Sequence, residues 1–298
     1  MYKKILVPLD GSPLGGQALP YVRLLGTALK VPVELLRVYE PEPVYYFPSL
    51  SQFQERVQAA AQHREEALHS LDSIGDSLKS QRINVTTTVY EPHGAPQAAH
   101  NPHDPGLAPA HHIIEVAERE ADTLIVMCTH GRSGIGRWVM GSVTDKVLHA
   151  TTNPLFIVRG QPEESAQADA KLESIIVPLD GSAIAEQILP HAVALSQALR
   201  AKLRPLSIIP SDQSHAREED HLSRLGERLV KQGAHSFEVR VLHGEPAHAI
   251  VDMTHEFPGA LVAMTTHGHS GIGRWVLGSV TDKVVRHSAG PVLVTRAT

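Results

Sequence analysis

One segment occurs twice in this chain with almost the same letters, and it constrains the fold more than any other feature. The copies are THGRSGIGRWVMGSVTDKV at 129–147 and THGHSGIGRWVLGSVTDKV at 266–284. A short apolar run ends at a methionine, Met127 or Met264, and one residue separates this methionine from the copy. A second apolar run follows each copy. This order predicts a strand, a glycine-rich loop, a helix and a second strand. The duplication predicts two similar α/β domains.

The glycines of the repeat indicate an anion site. The four glycines between 131 and 141 remove side chains and permit positive φ, so that successive backbone N–H groups can converge on a ligand. Ser142 and Asp145 have the spacing of a capping box, which predicts Ser142 as the N-cap of the next helix. A helix N-terminus after such a loop can bind phosphate. The alternative is that Ser142 and Ser279 only cap their helices.

Composition narrows the class of protein. The 298 residues carry a net charge of −5 and form no basic stripe, so we expect no nucleic-acid surface. The longest apolar runs have the length of strands, so we expect no membrane span. Asp10 interrupts the first apolar run too early for a signal peptide. Cys128 is the only cysteine, which predicts no disulfide framework and a cytoplasmic setting.

The first strand of each half ends in the same letters, ILVPLDGS and IIVPLDGS. Asp10 and Asp180 therefore stand at the carboxyl end of a first strand, where open α/β sheets bind ligands. An aspartate that only caps the turn is the alternative. Ser12 and Ser182 are predicted N-caps of the helices that follow.

The two halves keep the same spacing through their first βαβ unit. One helix is predicted from Leu14 to Leu29, and the next strand ends at Val38 in the first half and at Ile208 in the second. Because apolar residues at strand ends usually belong to the core, each of these two side chains is at best a hydrophobic wall for a flat ring.

The repeat also predicts the domain boundaries. The first domain covers 1–160, a polar linker of small residues covers 161–171, and the second domain covers 172–298. The first domain has longer loops and a histidine-rich insert near 92–109 that the second lacks. His100 and His103 in the insert have a plausible spacing for metal ligands, but the segment is broken by prolines and has no cysteine partner. We therefore expect no metal site.

Together these motifs identify a resemblance that covers the whole chain. The first strands with Asp-Gly-Ser, the GAP or GEP turn after the third strand, and the repeat from THG to GSV make the chain resemble a tandem universal stress protein. The resemblance implies two flavodoxin-like (adenine nucleotide alpha hydrolase-like) domains. Each would be a five-stranded parallel sheet of order 3-2-1-4-5 with helices on both faces, and ATP would lie across the carboxyl ends of strands one and four.

ATP-binding members of that family carry a motif of glycine, two residues, glycine, nine residues, and glycine followed by Ser or Thr. This chain matches its last two glycines in both halves, and Cys128 and Thr265 stand in place of the first glycine. The resemblance implies an ATP site formed by Pro8, Asp10, Val38, Met127, Gly131, Arg132, Gly141, Ser142 and Val143, and a second formed by Pro178, Asp180, Ile208, Met264, Gly268, Gly278, Ser279 and Val280. We expect Mg²⁺ to be carried by the nucleotide.

The resemblance also implies how the halves associate. The fifth strands, which end near Arg159 and Arg296, would pair across the two halves and make one chain an intramolecular pseudo-dimer. A homodimer of whole chains remains possible.

Three functions stay open at this point. The first is an ATP-binding regulator of the stress response that acts through an unknown protein partner. The second is a slow ATPase, for which His130 or His267 would be the general base, although neither has an orienting carboxylate in its own segment. The third is an interaction scaffold that binds no nucleotide. We expect no catalytic residues.

Overall fold

The computed structural model describes residues 1–38, 50–90, 107–129, 140–160, 169–210, 214–266 and 277–297. The first half contains β1 (Lys4–Pro8), α1 (Pro13–Gly16), α2 (Leu19–Leu29), β2 (Val33–Val38), α3 (Leu50–Lys79), β3 (Val85–Tyr90), α4 (Leu107–Glu118), β4 (Thr123–Cys128), α5 (Ser142–Ala150) and β5 (Leu155–Val158). The second half contains β6 (Ser174–Pro178), α6 (Ala183–Glu186), α7 (Leu189–Leu199), β7 (Lys202–Ile209), α8 (His215–Lys231), β8 (Ser236–Phe237), β9 (Arg240–His243), α9 (Pro246–Glu256), β10 (Ala260–Thr266), α10 (Ser279–His287) and β11 (Val292–Arg296).

Within the described residues, eleven strands form one sheet in the order β3-β2-β1-β4-β5-β11-β10-β6-β7-β8, and β9 also pairs with β7. Each half has the strand order 3-2-1-4-5, because β8 and β9 share the place of the third strand in the second half. Neighbouring strands are parallel within each half. This confirms the predicted fold class.

The two halves meet where β5 pairs with β11 in antiparallel orientation. Leu155 pairs with Val294, Phe156 with Leu293, and Ile157 with Val292. Because Phe156 and Leu293 occupy equivalent positions in the two repeats, the pairing has the self-complementary form of a two-fold interface. The predicted pairing of the fifth strands is confirmed. Because the strands of the two halves run in opposite directions, their carboxyl ends lie on opposite sides of the sheet.

Alternation along the strands divides the core into two layers that both continue across the junction. Ile5 and Val7 face one layer with α2, α3, α7 and α8, whereas Leu6 faces the other with α4, α5, α9 and α10. Successive side chains of a strand point to opposite faces, so a strand covered by helices on both sides is apolar throughout. The two halves therefore share one core on each face of the sheet.

The first helix of each half is interrupted, so the single helix predicted from Leu14 to Leu29 is wrong. Two helices, α1 and α2, occupy that range. Pro20 has no backbone N–H and so could not donate a hydrogen bond in the interior of one continuous helix. It lies instead in the first turn of α2, where the N–H groups have no partner within the helix. The predicted N-cap is confirmed, because Ser12 Oγ accepts a hydrogen bond of 3.0 Å from Gly15 N.

Phe156 gives a direct test of the junction. Its side chain is fully buried and packs against the ring of Tyr21 at 5.7 Å between centroids. We expect Phe156→Ala to lower the free energy of unfolding by about 3–5 kcal/mol, because it leaves a cavity where both halves pack. Phe156→Leu, which copies Leu293, is the matched control and should cost less. Urea unfolding measures the free energy of unfolding of both variants. A loss below about 1 kcal/mol for the alanine variant would show that packing at the junction contributes little to stability.

A second contact joins the halves away from the sheet. Tyr2 Oη lies 2.9 Å from His191 Nδ1 on α7, and the two rings are 5.4 Å apart. Burial lowers the pKa of His191 to about 4, opposed by the charge of Asp122 and assisted by the N-terminal amine. Burial also raises the pKa of Tyr2. At neutral pH the contact therefore joins a protonated phenol and a neutral imidazole.

This contact predicts a loss of stability in acid. The folded pKa of His191, about 4, lies below its usual value of 6.5, so the unfolded chain binds more protons between these values. The contribution is fully present above pH 6.5 and is lost as the pH falls towards 4. After allowance for partial exposure we expect it to be on the order of 2 kcal/mol.

The measurement is the difference in unfolding free energy between pH 7 and pH 4.5, taken from urea titrations. His191→Gln should make this difference smaller than in the parent chain, whereas His255→Gln at an exposed position is the control and should leave it unchanged. An equal difference in the parent and the His191 variant would contradict the assignment.

Candidate functional site

The first half has a cavity of about 370 Å³ at the carboxyl ends of β1 and β4. These two strands flank the point where the strand order reverses, which is where open α/β sheets bind ligands. The walls come from the ends of β1, β2 and β4, from α1, from the first two turns of α4 and from the first turn of α5. The lining residues are Pro8, Leu9, Asp10, Gly15, Leu36, Val38, Pro109, Ile113, Met127, Cys128, Gly141, Ser142, Val143 and Thr144.

The second half has an equivalent cavity of about 260 Å³ at the carboxyl ends of β6 and β10. Its walls come from the same elements of the repeat, with α6 contributing more than α1 does in the first half. The lining residues are Pro178, Leu179, Asp180, Ser182, Ile184, Ala185, Ile208, Pro246, Ile250, Met264, Thr265, Gly278, Ser279, Val280 and Thr281.

The two cavities are built from nearly the same side chains. Of the fourteen residues that line the first cavity, three differ at the equivalent position of the second half and the other eleven are identical. The differing pairs are Gly15 and Ala185, Val38 and Ile208, and Cys128 and Thr265. Two halves that diverged elsewhere have therefore kept the same cavity wall.

The structure brings together every predicted site residue that it describes. Pro8, Asp10, Val38, Met127, Gly141, Ser142 and Val143 line the first cavity, and Pro178, Asp180, Ile208, Met264, Gly278, Ser279 and Val280 line the second. Gly131, Arg132 and Gly268 lie outside the described residues, as do His130 and His267. That these residues bind a ligand stays a prediction.

The aspartates at the strand ends also organise the turn that follows. Asp10 Oδ1 accepts hydrogen bonds from Ser12 N at 2.9 Å and from Ser12 Oγ at 2.6 Å. Asp180 Oδ1 accepts one from Ser182 N at 2.9 Å. Both aspartates line their cavities as well. Each aspartate therefore caps the turn and also faces the cavity, so the two alternatives drawn from the sequence do not exclude each other.

The start of α5 differs from the predicted capping box. Gly141 is the N-cap residue, with φ −59° and ψ 142°, and Ser142 is the first helical residue, so the prediction of Ser142 as N-cap was wrong. The helix begins there because Gly141 N donates to Thr129 O and Thr144 Oγ1 donates to Cys128 O at 2.9 Å. These bonds anchor the first turn to the end of β4.

No side chain caps the first turn of α5, nor that of the equivalent helix α10, within the described residues. Elsewhere, α1, α6, α8 and α9 are each capped by the side chain of Ser12, Ser182, Ser214 and Glu245, respectively. The first N–H groups of a helix have no partner within the helix and carry a partial positive charge. The helices α2 and α7 also lack a side-chain cap, but they do not line the cavities. The uncapped first turns of α5 and α10 do line them, and such a helix N-terminus is suited to bind an anion.

Sequence reasoning missed the contribution of α4 and α9. Pro109 and Ile113 line the first cavity, and Pro246 and Ile250 line the second. Both pairs belong to the repeated letters PAH followed two residues later by isoleucine, and this repetition was the available signal. Because an apolar residue in a helix usually packs in the core, the pattern alone did not distinguish a cavity wall from core packing.

Cys128 and Thr265, which replace the first glycine of the motif, are both buried and line their cavities. The hydroxyl of Thr265 lies 3.4 Å from that of Thr295 on β11. Both cavities stay open beside these side chains. The substitutions therefore narrow the sites without closing them.

The described residues contain no group of three or more His, Cys, Asp or Glu side chains arranged to hold a metal ion. His100 and His103 of the insert lie outside the described residues. Among the helices that the structure describes, none combines the length and the apolar character needed to cross a bilayer.

The strand order, the paired cavities and the uncapped helix starts define a duplicated α/β protein of the flavodoxin-like class. A family model described as "Universal stress protein family" matches residues 1–159 and again residues 171–296. The chain belongs to the universal stress protein family and carries two of its domains.

Comparisons with individual proteins agree with this result. A universal stress protein of Synechocystis sp. is 22% identical over 299 residues, which cover 99% of this chain and 100% of the relative. Another, from Mycolicibacterium smegmatis, is 26% identical over 185 residues, and the match spans 58% of this chain but only 61% of that relative. The crystal structure of a universal stress protein from Archaeoglobus fulgidus has a TM-score of 0.74 at 20% identity and covers 99% of both chains. This last likeness concerns the fold.

Proposed function

We propose that each half of this chain binds one adenine nucleotide and that the protein is a nucleotide-responsive regulator in the stress response. One observation carries the proposal. In both halves, an apolar cavity at the switch point of the sheet is closed at one end by the uncapped first turn of a nine-residue helix. An apolar wall suits a base, and free N–H groups suit phosphate.

The lining residues suggest how the nucleotide lies. In the first half the base packs between Val38, Ile113 and Met127, which form the apolar part of the wall. Asp10 accepts hydrogen bonds from the adenosine portion. The backbone amides of Ser142 and Val143 hold the phosphates, with Gly131 and Arg132 completing the site. The corresponding residues of the second half have the same roles, with Gly268 in the place of Gly131, but Arg132 has no counterpart there because His269 stands at its position.

ATP is the adenine nucleotide we propose, with Mg²⁺ bound mainly to its phosphates. This metal keeps several water ligands and usually needs few protein carboxylates. Among the described lining residues, Asp10 and Asp180 are the carboxylates, and both are engaged with serines of the adjacent turn. A metal carried by the nucleotide therefore fits these cavities better than a protein-bound metal.

We favour a binding protein over an enzyme because hydrolysis needs a base that orients water at the terminal phosphate. Within the described residues, no histidine lines either cavity. A regulator needs only that the loop after β4 or β10 differs with and without the nucleotide, so that a partner protein distinguishes the two states. We place the protein in the cytoplasm, consistent with its single, buried cysteine.

Isothermal titration with Mg·ATP tests the proposal. We expect up to two sites in the parent chain, the loss of one in Val38→Trp, the loss of the other in Ile208→Trp, and no binding in the double variant, because an indole fills each cavity. Val57→Trp, at a side chain that is 54% exposed on α3, is the matched control and should keep both sites. No heat at millimolar nucleotide, or two sites retained in the double variant, would overturn the proposal.

The slow ATPase is tested with the same proteins. The regulatory proposal predicts no turnover of radiolabelled ATP above the level of the double tryptophan variant. Turnover that is present in the parent and absent from that variant would instead make the chain an enzyme. Hydrogen exchange with and without ATP then measures whether occupancy changes the backbone that follows β4 and β10, as a regulator requires.

A further inference from the structure

The two cavities differ most informatively at one position of the first short helix. Gly15 lies in α1, and Ala185 is its equivalent in α6. A Cβ atom placed on Gly15 would lie 2.6 Å from Asp10 Oδ1, closer than such atoms approach one another in proteins. In the first half, the carboxylate therefore occupies the space that a methyl group takes in the second half.

The two aspartates differ accordingly. Asp10 is partly buried and accepts hydrogen bonds from both the backbone N and the Oγ of Ser12, at 2.9 Å and 2.6 Å. Asp180 is exposed and accepts a bond of 2.9 Å from Ser182 N. Asp10, with Gly15 as its neighbour, is thus more buried than Asp180, for which Ala185 stands at the equivalent position.

The cavity volumes follow the same division. The first cavity measures about 370 Å³ and the second about 260 Å³. Gly15 and Val38 are each one methyl group smaller than Ala185 and Ile208. Ser182, which caps α6, and Ile184 within α6 also line the second cavity. A ligand in the second half therefore meets more of the short helix and has less room beside the aspartate.

We propose that Gly15 and Ala185 make the two sites unequal, so that the first half is the tighter site for a ligand that donates an O–H or N–H group to Asp10. This inference rests on the proposed nucleotide function and specifies it. A carboxylate that is already oriented by Ser12 loses little freedom when it accepts a further hydrogen bond, and an ionised carboxylate has about four acceptor positions. Asp180 is more exposed, so a ligand that binds it must displace more of its hydration.

The donor on the nucleotide is either a ribose hydroxyl or the exocyclic amine of the base, because a carboxylate can only accept. The two sources are separable with three probes, namely 2′-deoxy-ATP, 3′-deoxy-ATP and purine riboside triphosphate, which lacks the amine. One of the three should bind the first half about ten-fold more weakly than ATP, since a hydrogen bond to a charged group is of that order. The same analogue should be discriminated less in the second half.

The affinities are measured one site at a time. Ile208→Trp leaves the first site alone, and Val38→Trp leaves the second. In the first background we expect Gly15→Ala to weaken ATP binding about ten-fold and to remove the discrimination among analogues. In the second background we expect Ala185→Gly to strengthen ATP binding several-fold, since glycine leaves beside Asp180 the space that Gly15 leaves beside Asp10.

Gly16→Ala is the matched control, because a Cβ atom on Gly16 would meet nothing within 4 Å. It makes the same chemical change one residue away in the same helix and should leave both affinities unchanged. Thermal unfolding of all variants shows whether they are folded. Alanine is compatible with the helix at position 15, because Ala185 occupies the equivalent position of α6.

The outcomes separate this inference from the proposed function. Equal affinity of the two sites, or a Gly15→Ala variant that binds like Gly16→Ala, overturns the inference while nucleotide binding stands. Equal binding of all three analogues and ATP by the first site shows that Asp10 accepts no bond from the ligand and also overturns it. Absence of ATP binding in the parent chain overturns both.

Discussion

The antiparallel pairing of β5 with β11 is the contact on which the rest of this structure depends. It joins two parallel sheets into one, and it buries Phe156 and Leu293 at the centre of a continuous core. Without it, each half would expose a mainly apolar edge strand of four or five residues, which is a template for association with other chains. In this chain, the duplication supplies the partner strand within the same molecule.

The same pairing determines where the two cavities lie. In a parallel sheet the carboxyl ends of all strands lie on the same side. The antiparallel junction reverses the strand direction in the second half, so the two cavities open on opposite sides of the sheet. Each cavity is nevertheless in contact with the shared layer of α4, α5, α9 and α10. Arg286 of α10 lies 3.6 Å from Asp145 of α5, and this ion pair links the two helices that begin at the cavities.

Much of the fold was predictable from local pattern. The repeated glycine-rich segment, the Asp-Gly-Ser turns and the alternating strand and helix patterns were sufficient for two doubly wound domains, because each signal depends on neighbouring residues in the chain. Ser12 was recognised as an N-cap for the same reason. Gly141 was not, since its role depends on hydrogen bonds from the helix start to the end of β4, which is distant in sequence. Local propensity contains no information about such a partner.

The candidate site divides in the same way. The sequence by itself determined that small residues and an aspartate follow the strand ends, because motif letters and spacing are properties of the chain alone. Only the tertiary structure decided that Pro109 and Ile113 of α4 complete the wall, and that Asp10 lies next to Gly15 and is more buried than Asp180. Those facts depend on the volume left between elements after packing, and a single missing methyl group is decisive only when its neighbours are in place.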